Sequence, residues 1–212
     1  MPITTLTAAN ALRWIEASSA VLDEKKGTLT ELDSAIGDGD HGVNMARGFQ
    51  AVKAKLSTVP ANDIGALFKL VAMTLISTTG GASGPLYGTF FLKAAAPTAG
   101  KAELTTAELG AAFQAGLAGV VALGKAAVGD KTMVDALTPA IAALTTSANG
   151  EPLSAALARA VEAARKGVDA TVPMVARKGR ASYLGERSVG HADPGASSSL
   201  LLFETLAKTV GD

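Results

Sequence analysis

Asp33, Asp38 and Asp40 fall within eight residues of chain, and the stretch AIGDGDHGVNM (35–45) that holds two of them also holds His41 and three glycines, Gly37, Gly39 and Gly42. Carboxylates this close repel, and ordering glycine costs more backbone entropy than ordering any other residue. A bound divalent cation would offset both costs. Magnesium suits such a set, because it is held by a few carboxylates, waters and the oxygens of a bound phosphate. Zinc fits poorly: the chain has no cysteine, and only one histidine lies near these aspartates. Calcium fits less well than magnesium, since the EF-hand spacing and its terminal glutamate are missing. The alternative is a solvated acidic turn, with Asp38 in an Asx-turn or Asp40 capping the following helix.

Other stretches supply complementary chemistry. TGGASGP (79–85) runs into a helix start. There Gly80, Gly81 and Gly84 permit close approach, backbone N–H groups can cradle an anion, and Ser83 adds a hydroxyl. A flexible helix–helix turn explains the same residues. In DPGA (193–196) Asp193 can cap a last helix, Pro194 suits its first position and Gly195 leaves space, so capping is the default account. ARKGRASYLGER (176–187) carries Arg177, Lys178, Arg180 and Arg187; arginine suits bidentate phosphate contacts, although a basic run is often only a solvated face. His41 and His191 are the only histidines, each a base, a phosphate contact or a hydrogen-bonded structural residue. GVVALGKA (119–126) nearly spells a phosphate loop but ends in Ala126, which removes the magnesium-binding hydroxyl. It reads instead as a helix and its C-cap, with Gly124 left available to a site. No G-x-S-x-G elbow of a serine hydrolase occurs.

The elements that must position these groups are helices. Apolar residues recur every three or four positions, as in Leu109, Phe113, Leu117 and Val120. Thr105 and Glu108 predict a capping box, with Leu104 and Leu109 as its hydrophobic staple. Eight helices are expected near 8–27, 42–57, 63–78, 85–96, 105–124, 131–147, 152–170 and 195–210, with Pro139 kinking the sixth or marking a local irregularity in it. The expected fold is therefore all-α, an antiparallel up-and-down array. In such an array all odd-numbered connections emerge at one end. The first, third, fifth and seventh hold most of the Gly-rich and charged irregular sequence, so four unusual loops should share one rim. Acidic ligands, two glycine-rich cradles and basic residues on that rim point to a magnesium–nucleotide site. Phosphoryl transfer needs mainly positioning and charge neutralisation, which these parts provide.

Composition agrees. Of 212 residues 48% are apolar, enough for one sizeable core, and no composition shift divides 1–212 into separate domains. Nineteen basic residues balance nineteen acidic ones, so there is no electrostatic footprint for nucleic acid. The absence of cysteine excludes disulfides and a thiolate nucleophile. The N-terminal segment lacks a signal-peptide pattern, and the longest apolar stretch, 109–123, is too short for a membrane span. A cytoplasmic protein is expected.

Four segments together, LDSAIGDGDHGVNMARGF, STTGGASGPLYGTFF, GDKTMVDAL and GRASYLGERSVGHADPGA, resemble the L-subunit family of phosphotransferase-system-dependent dihydroxyacetone kinases, in order and over nearly the whole chain. The resemblance implies a single nucleotide-binding domain, a barrel of eight amphipathic helices with the nucleotide at one end. It implies two magnesium ions held by Asp33, Asp38 and Asp40 together with the nucleotide phosphates. His41, Gly42, Val43 and Asn44 would contact the nucleotide at the next helix start. Gly81, Ala82 and Ser83 would meet phosphate, Gly124, Thr132 and Met133 would border the nucleotide, and Arg180 with Asp193, Pro194 and Gly195 would complete the site. Arg180 is the expected catalytic group for transition-state charge. In the family ADP is a bound prosthetic group. A phosphohistidine of the M subunit phosphorylates it in place, and the resulting ATP phosphorylates dihydroxyacetone on the K subunit. The expected partners are therefore K and M subunits, with no nucleic acid or membrane; a homodimer is compatible with the sequence. The related C-terminal domain of ATP-dependent dihydroxyacetone kinases favours GDGDCG where this chain has GDGDHG, and the histidine and the length of the chain favour the L subunit. The alternative is a nucleotide-binding subunit of an ATP-dependent kinase for another small ketose. A non-catalytic binding module would not need the three aspartates.

Overall fold

The computed structural model describes residues 4–60, 62–146 and 151–211. The expected end of the sixth helix at 147 and the turn that follows it lie largely outside them. The fold is all-α. Nine α-helices are described: α1 (Ala8–Glu24), α2 (Lys26–Ile36), α3 (His41–Lys53), α4 (Ile64–Thr78), α5 (Ser83–Ala95), α6 (Thr106–Gly124), α7 (Met133–Thr145), α8 (Leu153–Thr171) and α9 (Pro194–Gly211). Eight match the expected helices within a few residues. α7 runs through Pro139 as one helix.

Three features depart from expectation. The first connection is not all loop, since its first half is α2. Leu29, Asp33 and Ile36 form the buried face of that helix, so a carboxylate occupies a position where the apolar repeat would continue. Two short strands, β1 (Thr5–Thr7) and β2 (Glu103–Thr105), pair antiparallel with Leu6 opposite Leu104. Finally, α6 is by length and composition apolar enough to cross a bilayer, so the reading of 109–123 as too short is corrected. It reaches that length only by taking in Glu108, since the uncharged run spans 109–124, and the helix packs between α5 and α7, with Leu109, Phe113, Leu117 and Val120 in the core.

Helices α3 to α9 pack in sequence order, and α9 packs on α1, which packs on α3. The order of contacts closes on itself, with α2 outside it against α3 and α9. The interior is filled by Trp14, Phe68, Phe90, Phe91, Phe113 and Phe203, whose rings lie 5.4–6.5 Å apart in tilted and edge-to-face pairs. Each such ring contributes roughly 2–3 kcal/mol on burial. Trp14 Nε1 also donates to the Leu202 carbonyl at 2.9 Å, tying α1 to α9.

Candidate functional site

A large cavity lies at one end. It measures about 400 Å³ and is lined from all four odd-numbered connections: Asp33 to His41, Gly81 to Ser83, Ala126 with Lys131 and Thr132, and Lys178 to Ala181 with Asp193. The starts of α3, α5, α7 and α9 and the end of α6 all reach it, so successive helices alternate in direction. The convergence expected from loop parity is present.

On one wall Asp33, Asp38 and Asp40 offer oxygens that all lie within 4.8 Å of one another. The three are not equivalent. Asp33 is buried, and its Oδ2 accepts from the backbone N–H groups of Asp40 at 2.8 Å and His41 at 3.0 Å. It thus caps α3 from α2, while Asp40, at the N-cap position, makes no side-chain cap bond. The capping role considered for Asp40 therefore belongs to Asp33. Gly37 must be glycine here, because a β-carbon would overlap the Asp33 carboxylate. Asp38 is exposed and pairs through Oδ2 with Arg180 Nε at 3.0 Å. All-oxygen donors, one fixed by two amides and two that cap no helix, fit magnesium.

Facing them is the start of α5. Its N-cap residue, Ala82, makes no side-chain cap bond, and Gly81 turns into it at φ +63°. A β-carbon on Gly81 would lie 3.8 Å from Asp40 Oδ1, so the helix start and the acidic cluster are immediate neighbours. Gly84 permits α5 to pack against the Thr79 carbonyl, which a β-carbon there would overlap.

A polar layer ties these walls together. His41 is buried, and its ring nitrogens bond Ser83 Oγ at 3.0 Å and Ser198 Oγ at 2.9 Å. Burial pushes its pKa down, against the opposing charges of Asp33 and Asp40. The Tyr87 hydroxyl bonds Ser198 at 2.6 Å, Ser199 at 2.9 Å and the Gly195 carbonyl at 3.1 Å. Its pKa is raised to about 12 by burial. Asp193 caps α9, accepting from Ala196 N–H at 2.7 Å. Burial raises its pKa to about 7, despite that hydrogen bond and the nearby Lys131 charge.

Every site residue that the resemblance implies lines the cavity except Gly42, Val43 and Asn44, and of the other candidates the exposed His191, together with Gly80 and Gly84, does not line it. Gly42 packs where a β-carbon would overlap the Lys26 carbonyl of α2. Val43 is exposed, and the buried Asn44 accepts from Arg47 Nη2 at 2.7 Å. Of the basic run, Lys178 and Arg180 reach the cavity and Arg177 and Arg187 do not. Below Arg180, the small apolar cluster of Ile36, Ala176, Ala181 and Leu184 seats the basic loop on α2. Leu86, Val120 and Leu123 add an apolar wall that sequence reading passed over. Lys131 was passed over as well, although its left-handed φ of +62° is not something a lysine announces in sequence.

The DAK2 domain matches residues 35–208. This chain belongs to the DAK2 domain family. The family's stretch takes in most of the cavity but begins two residues after Asp33, the buried aspartate on α2. Among similar proteins is the Escherichia coli K12 "PEP-dependent dihydroxyacetone kinase, ADP-binding subunit DhaL", 44% identical over 96% of this chain and 97% of that one. The Lactococcus lactis "PTS-dependent dihydroxyacetone kinase, ADP-binding subunit DhaL" is 43% identical over 97% of this chain and 99% of that one. A solved structure of the Citrobacter freundii dihydroxyacetone kinase in complex with AMP-PNP and Mg2+ superposes with a TM-score of 0.73 at 28% identity, covering 98% of this chain. This chain spans 34% of the length of that kinase.

Proposed function

We propose that the chain is the nucleotide-carrying subunit of a dihydroxyacetone kinase, one nucleotide-binding domain that holds ADP as a prosthetic group. A phosphohistidine protein recharges that ADP, and the resulting ATP phosphorylates dihydroxyacetone bound to a K-type partner. The observation that carries this reading is the acidic cluster set against the uncapped start of α5. Cations on Asp33, Asp38 and Asp40 would lie beside phosphates received by the amides of Gly81, Ala82 and Ser83. The names of the similar ADP-binding subunits support the nucleotide and the reaction. The closed order of helix packing supports a barrel, and the reducing cytoplasm is the compartment such a kinase would work in.

Magnesium, two ions in this reading, would supply neutralisation of phosphate oxygens. The chain's own residues do the positioning. Asp33 fixes the start of α3. His41 holds Ser83 at the phosphate-binding turn. Thr132, Met133 and Gly124 border the nucleotide, and Leu86, Val120 and Leu123 present apolar surface to its base. Asp193, Pro194 and Gly195 close the wall opposite. Arg180, whose guanidinium already sits at the acidic cluster, supplies positive charge to the phosphoryl group in transfer.

The test is the small-molecule content of the freshly purified, denatured protein. Near-stoichiometric ADP or ATP is expected, and its absence would sink the prosthetic-nucleotide reading. Turnover with a K-type partner and free ATP, without phosphotransferase proteins, would instead assign a subunit of an ATP-dependent ketose kinase.

A further inference from the structure

Lys131 is 1% exposed and has a left-handed backbone, φ +62°, a conformation that is sterically costly for any residue with a β-carbon. The reason for a long cationic side chain there lies in what its ammonium reaches. Nζ donates to the carbonyl oxygens of Thr171 at 2.9 Å, Met174 at 3.1 Å and Ser188 at 2.7 Å. An ammonium has three protons, so these bonds employ all of its donors. Thr171 ends α8, where helical carbonyls lack intrahelical partners and favour a cation. Met174 and Ser188 stand at the two ends of the basic loop that follows.

The rest of the loop base is tied at the same point. Ser188 Oγ accepts from Ala176 N–H at 2.9 Å and donates to the Gly185 carbonyl at 2.6 Å. Gly190 N–H donates to the Val172 carbonyl at 2.8 Å, and Arg177 N–H to the carbonyl of Asp130 at 3.1 Å. Beyond this knot the chain turns through Gly179 and Gly185, φ +66° and +55°, and carries Lys178 and Arg180 to the cavity. Thr132 and Met133, next to Lys131 in sequence, line the same cavity.

We propose that Lys131 is a positioning residue for phosphoryl transfer: its ammonium knots both ends of the 172–190 loop to the start of α7 and so holds Arg180 at the acidic wall of the cavity. The proposal rests on the phosphotransferase reading above. It assigns Lys131 no contact with nucleotide or substrate.

Lys131→Met keeps the length and apolar stem and removes the donors. Amide hydrogen exchange of the full-length chain should be at least about ten-fold faster at Ala176, Arg177 and Gly190, with α4 and α5 unchanged. In the kinase reconstituted with its K and M partners, Lys131→Met and Arg180→Gln should each slow transfer. The double variant should be no slower than Arg180→Gln alone, because both changes remove the same positioned charge, and Lys131→Arg should recover part of the rate. Unchanged exchange in the loop, or losses that multiply in the double variant, would overturn the proposal. If Lys131→Met does not fold, Ser188→Ala loosens the same knot without removing a buried charge, and it must show the same local exchange and the same non-additivity with Arg180→Gln. A wild-type chain that retained no magnesium-nucleotide would overturn the phosphotransferase reading and the catalytic half of this proposal with it. The exchange measurement, which needs no nucleotide, would still decide whether Lys131 anchors the loop.

Discussion

The two ends of the helical array solve the same problem in opposite ways. At the end away from the cavity, the starts of α4 and α6 are closed by their own neighbours, while α8 starts at Pro152 without a side-chain cap. Asp63 caps α4 by accepting from Ala66 N–H at 2.9 Å, and the same oxygen accepts from Gly100 N–H at 3.0 Å. Thr105 and Glu108 form the expected capping box on α6, with Lys101 2.7 Å from Glu108. Hydrogen bonds from Lys101, then Thr105, hold the Glu108 carboxyl down at about 2. β1 and β2 complete that end. At the cavity end, α3 borrows its cap from α2, α5 has no side-chain cap, and two aspartates stand with their oxygens unused by any helix. One end directs its polar groups inward to the fold, the other toward the cavity. α7 and α9 are capped, by Thr132 with Asp135 and by Asp193, which confines the open donors to the α3–α5 side.

That contrast can be broken by substitution. The largest effect is expected for Asp38→Asn with Asp40→Asn, which should weaken magnesium-nucleotide retention by about 100-fold or more, roughly 3 kcal/mol. The melting temperature of the apo protein should hold or rise as like-charge repulsion falls. Calorimetric titration and melts in EDTA decide, and a marked loss of apo stability would mean that these carboxylates serve the fold after all. Next comes Asp193. Its folded pKa of about 7 lies above its ordinary 3.8, so the folded state holds its proton more tightly. The resulting stability is full below about pH 4 and is lost as pH rises through 7. Asp193→Asn, which keeps a capping oxygen, should remove that decline. At pH 8 it should raise the apo melting temperature by roughly 4–8 °C, on the order of 2 kcal/mol; parallel pH profiles for the two proteins would refute the assignment. The smallest effect belongs to the far end. Asp63→Ala should cost about 1 kcal/mol, or roughly 2–4 °C, while nucleotide retention stays at the wild-type value. A change in retention would show that the two ends are coupled.

Much of this was legible in the residues themselves. Helix starts with side-chain caps, such as Thr105 with Glu108, declare themselves locally, and loop parity then brings distant glycine-rich segments to one rim without further information. What escaped did so because its signal was long-range or inverted. Asp33 occupies the buried face of α2 between Leu29 and Ile36, so the helical repeat was hidden by a residue that lines the cavity. β1 and β2 are 98 residues apart in their first hydrogen-bonded side chains, Thr5 and Glu103, and three-residue strands carry no alternation to read. Lys125 takes the left-handed C-cap of α6, φ +49°, a position for which Gly124 was the natural candidate. His41, open between a chemical and a structural role in sequence, has both ring nitrogens engaged by serines.

The single tryptophan has a consequence of another kind. Trp14 is buried among phenylalanines, with its indole N–H on a carbonyl of α9 two turns beyond the cavity. It stands at the seam where the last helix meets the first. The chain therefore carries an intrinsic fluorophore that reports on that seam and on the aromatic core it closes. Its emission should be blue-shifted in the folded chain, indifferent to what enters the cavity, and quick to shift red when α9 detaches.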